Sequence, residues 1–176
     1  MPSSVRLATP VDAPALAELA AATFPLACPP HTTDEAKAAF VAAHLSVASF
    51  EGYLADPGRD ILLAEVDGEP AGYTMLIFAE PSDSDVATAL SHRPSIELSK
   101  FYVLPGHHGH GVSAALMAAT LDAARSRGAS GIWLGVNQEN GRANRFYEKN
   151  SFARVGTKRF LVGDNYEDDF VRELAL

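Results

Sequence analysis

The segment Phe101-Tyr102-Val103-Leu104-Pro105-Gly106-His107-His108-Gly109-His110-Gly111-Val112 constrains this chain most. A β-favouring run feeds a glycine-rich turn, and the turn opens into an Ala- and Leu-rich helix expected over 112–127 and stopped by Gly128. In that order, the first N–H groups of the helix point out of the turn. Glycines also let the backbone approach an anion with no Cβ in the way. On the glycines alone, a tight turn that binds nothing is an equal reading. A P-loop is excluded, because no Lys follows Gly111. Gly109-x-Gly111-x-x-Ala114 does satisfy the dinucleotide-binding pattern. Against that rival, the motif follows an antiparallel hairpin past mid-chain. No acidic residue ends the next strand at the expected distance of about 20 residues, and Glu139 comes too late.

The remaining elements fall into place around this segment. Thr9-Pro10-Val11-Asp12 reads as a helix start, with Thr9 as N-cap, and the helix should run to about residue 23. Thr32 or Thr33 before Asp34-Glu35 begins a second helical region, broken near Ser46 and reaching 54. The pattern then changes to two strand-like runs, 61–66 and 71–78, joined by the hairpin signal Asp67-Gly68. A polar, acidic connection over 80–93 leads to a strand over 96–103. Beyond the central helix come a short buried strand (132–136), a helix (140–149) with Asn140 as N-cap, and strands over 152–162 and 170–176. The class is mixed α/β, and no repeat or linker calls for a second domain.

Composition removes several functions. A formal charge of −8 disfavours a nucleic-acid partner, whose phosphates need clustered Lys and Arg. No apolar run approaches the roughly 18 residues of a membrane span. Residues 1–9 do not read as a secretory signal, so the cytoplasm is the expected location. The single cysteine, Cys28, has no internal partner and reads as a small structural residue. His107, His108 and His110 have no acidic neighbour and fit zinc spacings poorly, so no metal is expected. Glu80, Asp83, Asp85, Glu167, Asp168 and Asp169 suit either an amine-binding mouth or plain surface solubility, and solubility is the simpler account. Phe24, Phe50 and Tyr53 read more simply as core than as substrate contacts.

His108-Gly109-His110-Gly111-Val112-Ser113 resembles the acyl-CoA loop Arg/Gln-x-x-Gly-x-Gly/Ala of the GNAT N-acetyltransferase family, behind the expected strand. Downstream, Asn140-Gly141-Arg142-Ala143-Asn144-Arg145-Phe146-Tyr147-Glu148-Lys149 is similar to that family's Asn-x-x-Ala-x-x-Phe-Tyr-x-Lys, followed by Phe152 and Val155-Gly156. The two motifs in this order are far more specific than either alone. Ile132-Trp133-Leu134-Gly135-Val136 and the tail from Phe160 to Asp169 look more narrowly like the Pai-type spermidine/spermine enzymes. Three positions depart from the pattern: His108 replaces Arg or Gln, Ser113 replaces a Gly or Ala, and Asn150-Ser151 stands where a Gly normally precedes the Phe. Ser113 keeps its backbone N–H, and Asn150 tolerates a left-handed helix cap.

The resemblance implies a GNAT-type domain, a twisted and mostly antiparallel sheet with a central splayed strand pair and flanking helices. It implies acetyl-CoA as co-substrate and a small-molecule amine, of which a polyamine is one class, as acceptor. It would place the backbone of Phe101, Tyr102 and Val103 along the pantetheine and thioester. His108, Gly109, His110, Gly111, Val112 and Ser113 would take the pyrophosphate, and Asn140 the pantetheine arm. Tyr147 would protonate the leaving thiolate, its alternative being an aromatic packed beside Phe146. Glu97 would receive the amine proton, directly or through water; an ordinary salt-bridged carboxylate is the alternative. A non-catalytic acyl-CoA sensor would bind without turnover, and a nicotinamide enzyme would bind NAD instead. The acceptor's identity stays open, as does a homodimer.

Overall fold

The computed structural model describes residues 2–107 and 111–176. Its strands are β1 (Ser3–Leu7), β2 (Arg59–Val66), β3 (Glu69–Ile77), β4 (Ser95–Val103), β5 (Gly131–Asn137), β6 (Ala153–Val162) and β7 (Asn165–Ala175). They form one sheet in the order β1-β2-β3-β4-β5-β7-β6, with β4–β5 the one parallel pair in that sequence. This mostly antiparallel arrangement is incompatible with the doubly wound parallel sheet that a dinucleotide loop requires.

The helices are α1 (Ala13–Ala27), α2 (Asp34–His44), α3 (Val47–Ala55), α4 (Ser84–Ala89), α5 (Val112–Ser126) and α6 (Gly141–Lys149). Both faces of the sheet are covered, which explains the unbroken apolar run in β2. Ile61 and Leu63 turn toward Leu16, Leu19 and Phe50 from α1 and α3. Leu62 and Ala64 turn toward Leu116 and Met117 of α5, in the core that also holds Ile96, Leu98, Ile132 and Leu134. Asp67 and Gly68 both adopt positive φ, 52° and 82°, as a two-residue hairpin turn demands. No single helix among the described residues is long and apolar enough to cross a membrane.

The fold departs from the sequence reading in four places. A first strand, β1, pairs with β2 at the sheet edge. Helix α1 runs through Pro25 to Ala27, although Pro25 has no N–H to donate to the carbonyl of Ala21. The acidic connection contains α4, whose N-cap Asp83 accepts from Asp85 N and which buries Val86. The last strand begins at Asn165 rather than at 170.

Two irregularities in β4 position everything that follows. Met75 pairs with Lys100 and the next residue, Leu76, with Leu98, so Ser99 is the extra residue of a β-bulge. The parallel pairing with β5 is limited to Ser95–Gly131, Ile96–Ile132 and Glu97–Trp133. Beyond Glu97 the two strands part, as the splayed pair requires.

Candidate active site

The parting strands open a cleft of about 700 Å³ that runs through the sheet. Phe101, Phe146, Tyr147, Gly111 and Ser113 line it on the α5–α6 side, and Phe24, Phe40, Glu97, Lys158 and Asp169 on the α1–α2 side. Over 98–102, the β5-facing edge of β4 pairs with no strand among the described residues and runs along the opening. Tyr102 and Val103 also line the cleft, while the Phe101 ring packs inward, 5.1 Å from the Phe146 ring.

Gly111 is the N-cap of α5, with φ 80°. A glycine is needed there for backbone conformation alone, whatever the turn binds. Val112 is buried and Ser113 faces the opening; His108, Gly109 and His110 lie outside the described residues. Arg142 and Lys149 of α6 bring two cations to the rim of the same cleft. The sequence reading assigns neither a role, although both stand inside the quoted motif, Arg142 two residues after the N-cap and Lys149 at its end.

Helix α6 is fixed at both ends. Asn140 Oδ1 accepts from Ala143 N at 3.1 Å, the expected cap. At the exit, Phe152 N donates to Tyr147 O and Ser151 N to Glu148 O, both at 3.0 Å, a Schellman closure. Ser151, with φ 71°, takes the left-handed position, whereas Asn150 stays at φ −91° with its side-chain amide on Phe146 O. The sequence reading gave that role to Asn150. The helix runs one residue further before reversing, so the left-handed site falls on 151. An L-residue there carries about 1 kcal/mol of steric cost. Ser151→Gly is therefore expected to stabilise the protein by about 0.5–1 kcal/mol, read as a higher urea midpoint at unchanged slope.

The closure holds Tyr147 among three rings, Phe101, Phe146 and Phe152, at centroid distances of 6.3, 5.5 and 5.8 Å. Its hydroxyl has no hydrogen-bond partner among the described residues, and burial pushes its pKa above the ordinary tyrosine value, with Tyr102 adding to the rise. It therefore stays protonated across the physiological range. Behind the helix, buried Arg172 donates from Nε to Asn144 Oδ1 at 3.1 Å and from Nη1 to Phe152 O at 3.0 Å. Asn144 in turn donates to Asn137 O and Asn140 O, which ties the end of β5 to the start of α6.

Across the splay, Glu97 and Asp169 face the cleft without a hydrogen bond or direct ion pair among the described residues. Burial raises the pKa of Glu97, and Lys158, Lys100 and Arg59 oppose the rise. Asp169, 6% exposed, is pushed up to about 6 by burial; Lys158 opposes this, while Glu167 and Asp168 add to it. Burial lowers Lys100 to about 8. Glu167 is equally buried and bonds His31 Nε2 at 2.7 Å, while His31 Nδ1 stands 3.6 Å from Glu139. The simpler account of the acidic tail, surface solubility, is thus wrong for Glu167 and Asp169. Because the strand starts at 165, alternation turns these two inward and Asp168 outward. Phe24 and Phe40 stack at 4.5 Å beside the opening, while Phe50 is core.

The model of the Acetyltransferase (GNAT) family matches residues 14–152. The chain belongs to this family. An uncharacterized N-acetyltransferase of Mycobacterium tuberculosis is 50% identical to this GNAT chain, over 93% of it and 99% of the relative. Among solved structures, the PaiA N-acetyltransferase of Thermoplasma acidophilum in complex with coenzyme A aligns at TM-score 0.76 and 19% identity, covering 100% of both chains. A putative acetyltransferase of Salmonella typhimurium, yncA, solved with acetyl-CoA, aligns at 0.64 and 20%, covering 100% of this chain and 95% of that one. The GNAT protein described here is an acyl-CoA-dependent N-acetyltransferase.

Proposed function

We propose that this protein moves the acetyl group of acetyl-CoA directly to a small-molecule amine bound on the α1–α2 side of the splay. The observation that carries this reading is the cleft itself. It joins a buried, protonated tyrosine on one face of the sheet to two carboxylates on the other that have no direct ion pair among the described residues, through a gap bordered by the β4 edge that faces β5.

In this reading the Gly111-headed end of α5 takes the pyrophosphate, with Arg142 and Lys149 adding positive charge, and the edge of β4 takes the pantetheine. Asn140 lies where β5 hands over to α6 and contacts the pantetheine arm. Glu97 receives the proton that the acceptor ammonium must lose, directly or through water. The neutral amine attacks the thioester carbonyl, its N–C bond forms and the C–S bond breaks. Tyr147 gives its proton to the departing thiolate. The N–H proton that the new amide nitrogen sheds is returned through water to Tyr147, restoring the phenol. No covalent enzyme intermediate is needed.

Within small amines, the resemblance to Pai-type enzymes supports a polyamine, and the cleft carboxylates suit a cationic acceptor. Lys100 and Lys158, both in the same cleft, oppose one. The test is thiol release from acetyl-CoA across a panel of amines, spermidine included. Amine-dependent release above the rate without amine is the expected result. Tight acetyl-CoA binding with no turnover on any amine would instead mean a cofactor sensor.

A further inference from the structure

Lys158 occupies a place built for it. On β7 its register partner is Asp169, and its side chain turns back over β5 across Gly135. A Cβ at position 135 would fall 2.4 Å from Lys158 Cε and 3.2 Å from Asp169 Oδ2. The lysine stem crosses the strand only because residue 135 has no side chain. Its ammonium ends 5.4 Å from the centre of the Phe160 ring, beside the stacked Phe24–Phe40 pair of the cleft wall.

The charges near this point divide into committed and uncommitted. Arg59 bonds Asp56 at 3.0 Å, and Glu167 bonds His31 at 2.7 Å. Glu97, Asp169, Lys100 and Lys158 all face the cleft with no direct ion pair among the described residues. Apart from Glu167 with its His31 partner, the acceptor end holds two carboxylates against two ammoniums. A polyamine would bring several positive charges toward two resident ones. An amine with a carboxylate beside it brings no net charge and meets an opposite partner at each end. The Phe24, Phe40 and Phe160 rings offer an apolar surface beside these charges.

We propose that Lys158 is a specificity-determining residue of the acceptor subsite, and that it selects an amine of the α-amino-acid type over a polyamine. This rests on the acetyl-transfer reading and adds the acceptor's class to it.

The experiment compares kcat/KM for α-amino acids with that for their decarboxylated counterparts, such as phenylalanine against phenethylamine, with spermidine alongside. The parent enzyme should favour the acid-bearing member by about tenfold or more, a gap equivalent to one well-placed charge contact. Lys158→Met should remove most of that preference and Lys158→Arg should retain it, with acetyl-CoA affinity as the control for folding. Gly135→Ala, which keeps the lysine but blocks its path, should act like Lys158→Met. An acid-to-amine ratio that is the same in the parent and Lys158→Met overturns the proposal, and so does a preference for spermidine in the parent. If no amine is acetylated, the transfer reading fails separately, and calorimetry on the CoA complex decides the subsite. Amino-acid binding lost in Lys158→Met upholds the proposal, and no binding refutes it.

Discussion

Tyr147→Phe is expected to lower kcat by about 100-fold or more, within the range for loss of a positioned general acid, while the dissociation constant for acetyl-CoA stays nearly constant. The prediction is sharp because the substitution removes only a hydroxyl. The ring keeps its contacts with Phe101, Phe146 and Phe152, and the helix exit is closed by backbone bonds that no side-chain change touches. The hydroxyl makes no hydrogen bond within the described residues, so its loss leaves no buried partner stranded, and stability should hardly move. Burial keeps the group protonated well above neutral pH. The parent's high-pH limb should accordingly not reflect an ordinary tyrosine titration. Amine-dependent thiol release, measured with the acetyl-CoA dissociation constant, separates the outcomes. An unchanged kcat would mean that solvent protonates the thiolate and that Tyr147 serves packing alone.

The parts of this molecule that its sequence discloses are those governed by short-range rules. Asp67-Gly68 requires two positive φ values in succession and obtains them. Asn140 caps α6 because a side-chain oxygen can reach the N–H three residues on. The turn before α5 needs its glycine at 111 for conformation, which is why the motif was visible. What stayed hidden depends on partners far away in the chain. Strand β1 offers only Val5 as a half-buried apolar residue and is held by pairing with β2 and by Arg6, which bonds Asp12 and Glu65, each at 2.9 Å. The run Glu167-Asp168-Asp169 looks like a solvated acidic stretch until the register of β7 turns its first and third members inward. Carrying the alternation back from Val171 would have found them. Nothing local couples Lys158 to Gly135, because their meeting requires the order β5-β7-β6. Arg172 is likewise buried among groups of α6 that only the folded sheet brings to it.

Asp169→Asn is expected to stabilise the protein at pH 7.5 by about 2–3 kcal/mol while it impairs acceptor turnover. The carboxyl has a folded-state pKa of about 6 against an ordinary 3.8, because burial disfavours its charged form more than Lys158 favours it. The folded state thus holds this proton more tightly than the unfolded chain does. The stabilisation that goes with it is complete below about pH 4 and is lost as pH rises to about 6, beyond which the deficit is constant. A neutral side chain of the same shape escapes that loss. Urea midpoints of parent and variant should therefore coincide near pH 4 and separate with rising pH, reaching their full difference above about pH 7. Equal stability at pH 7.5 would mean that Lys158 already compensates the ionised form, which would make the pair a structural ion bridge. A gap that opens with pH would show that the chain keeps a carboxylate its fold does not want. Such a group is retained at a cost to stability when a ligand needs the charge. In this cleft the charge faces the space where an acceptor ammonium must lose its proton before Tyr147 has a thiolate to protonate.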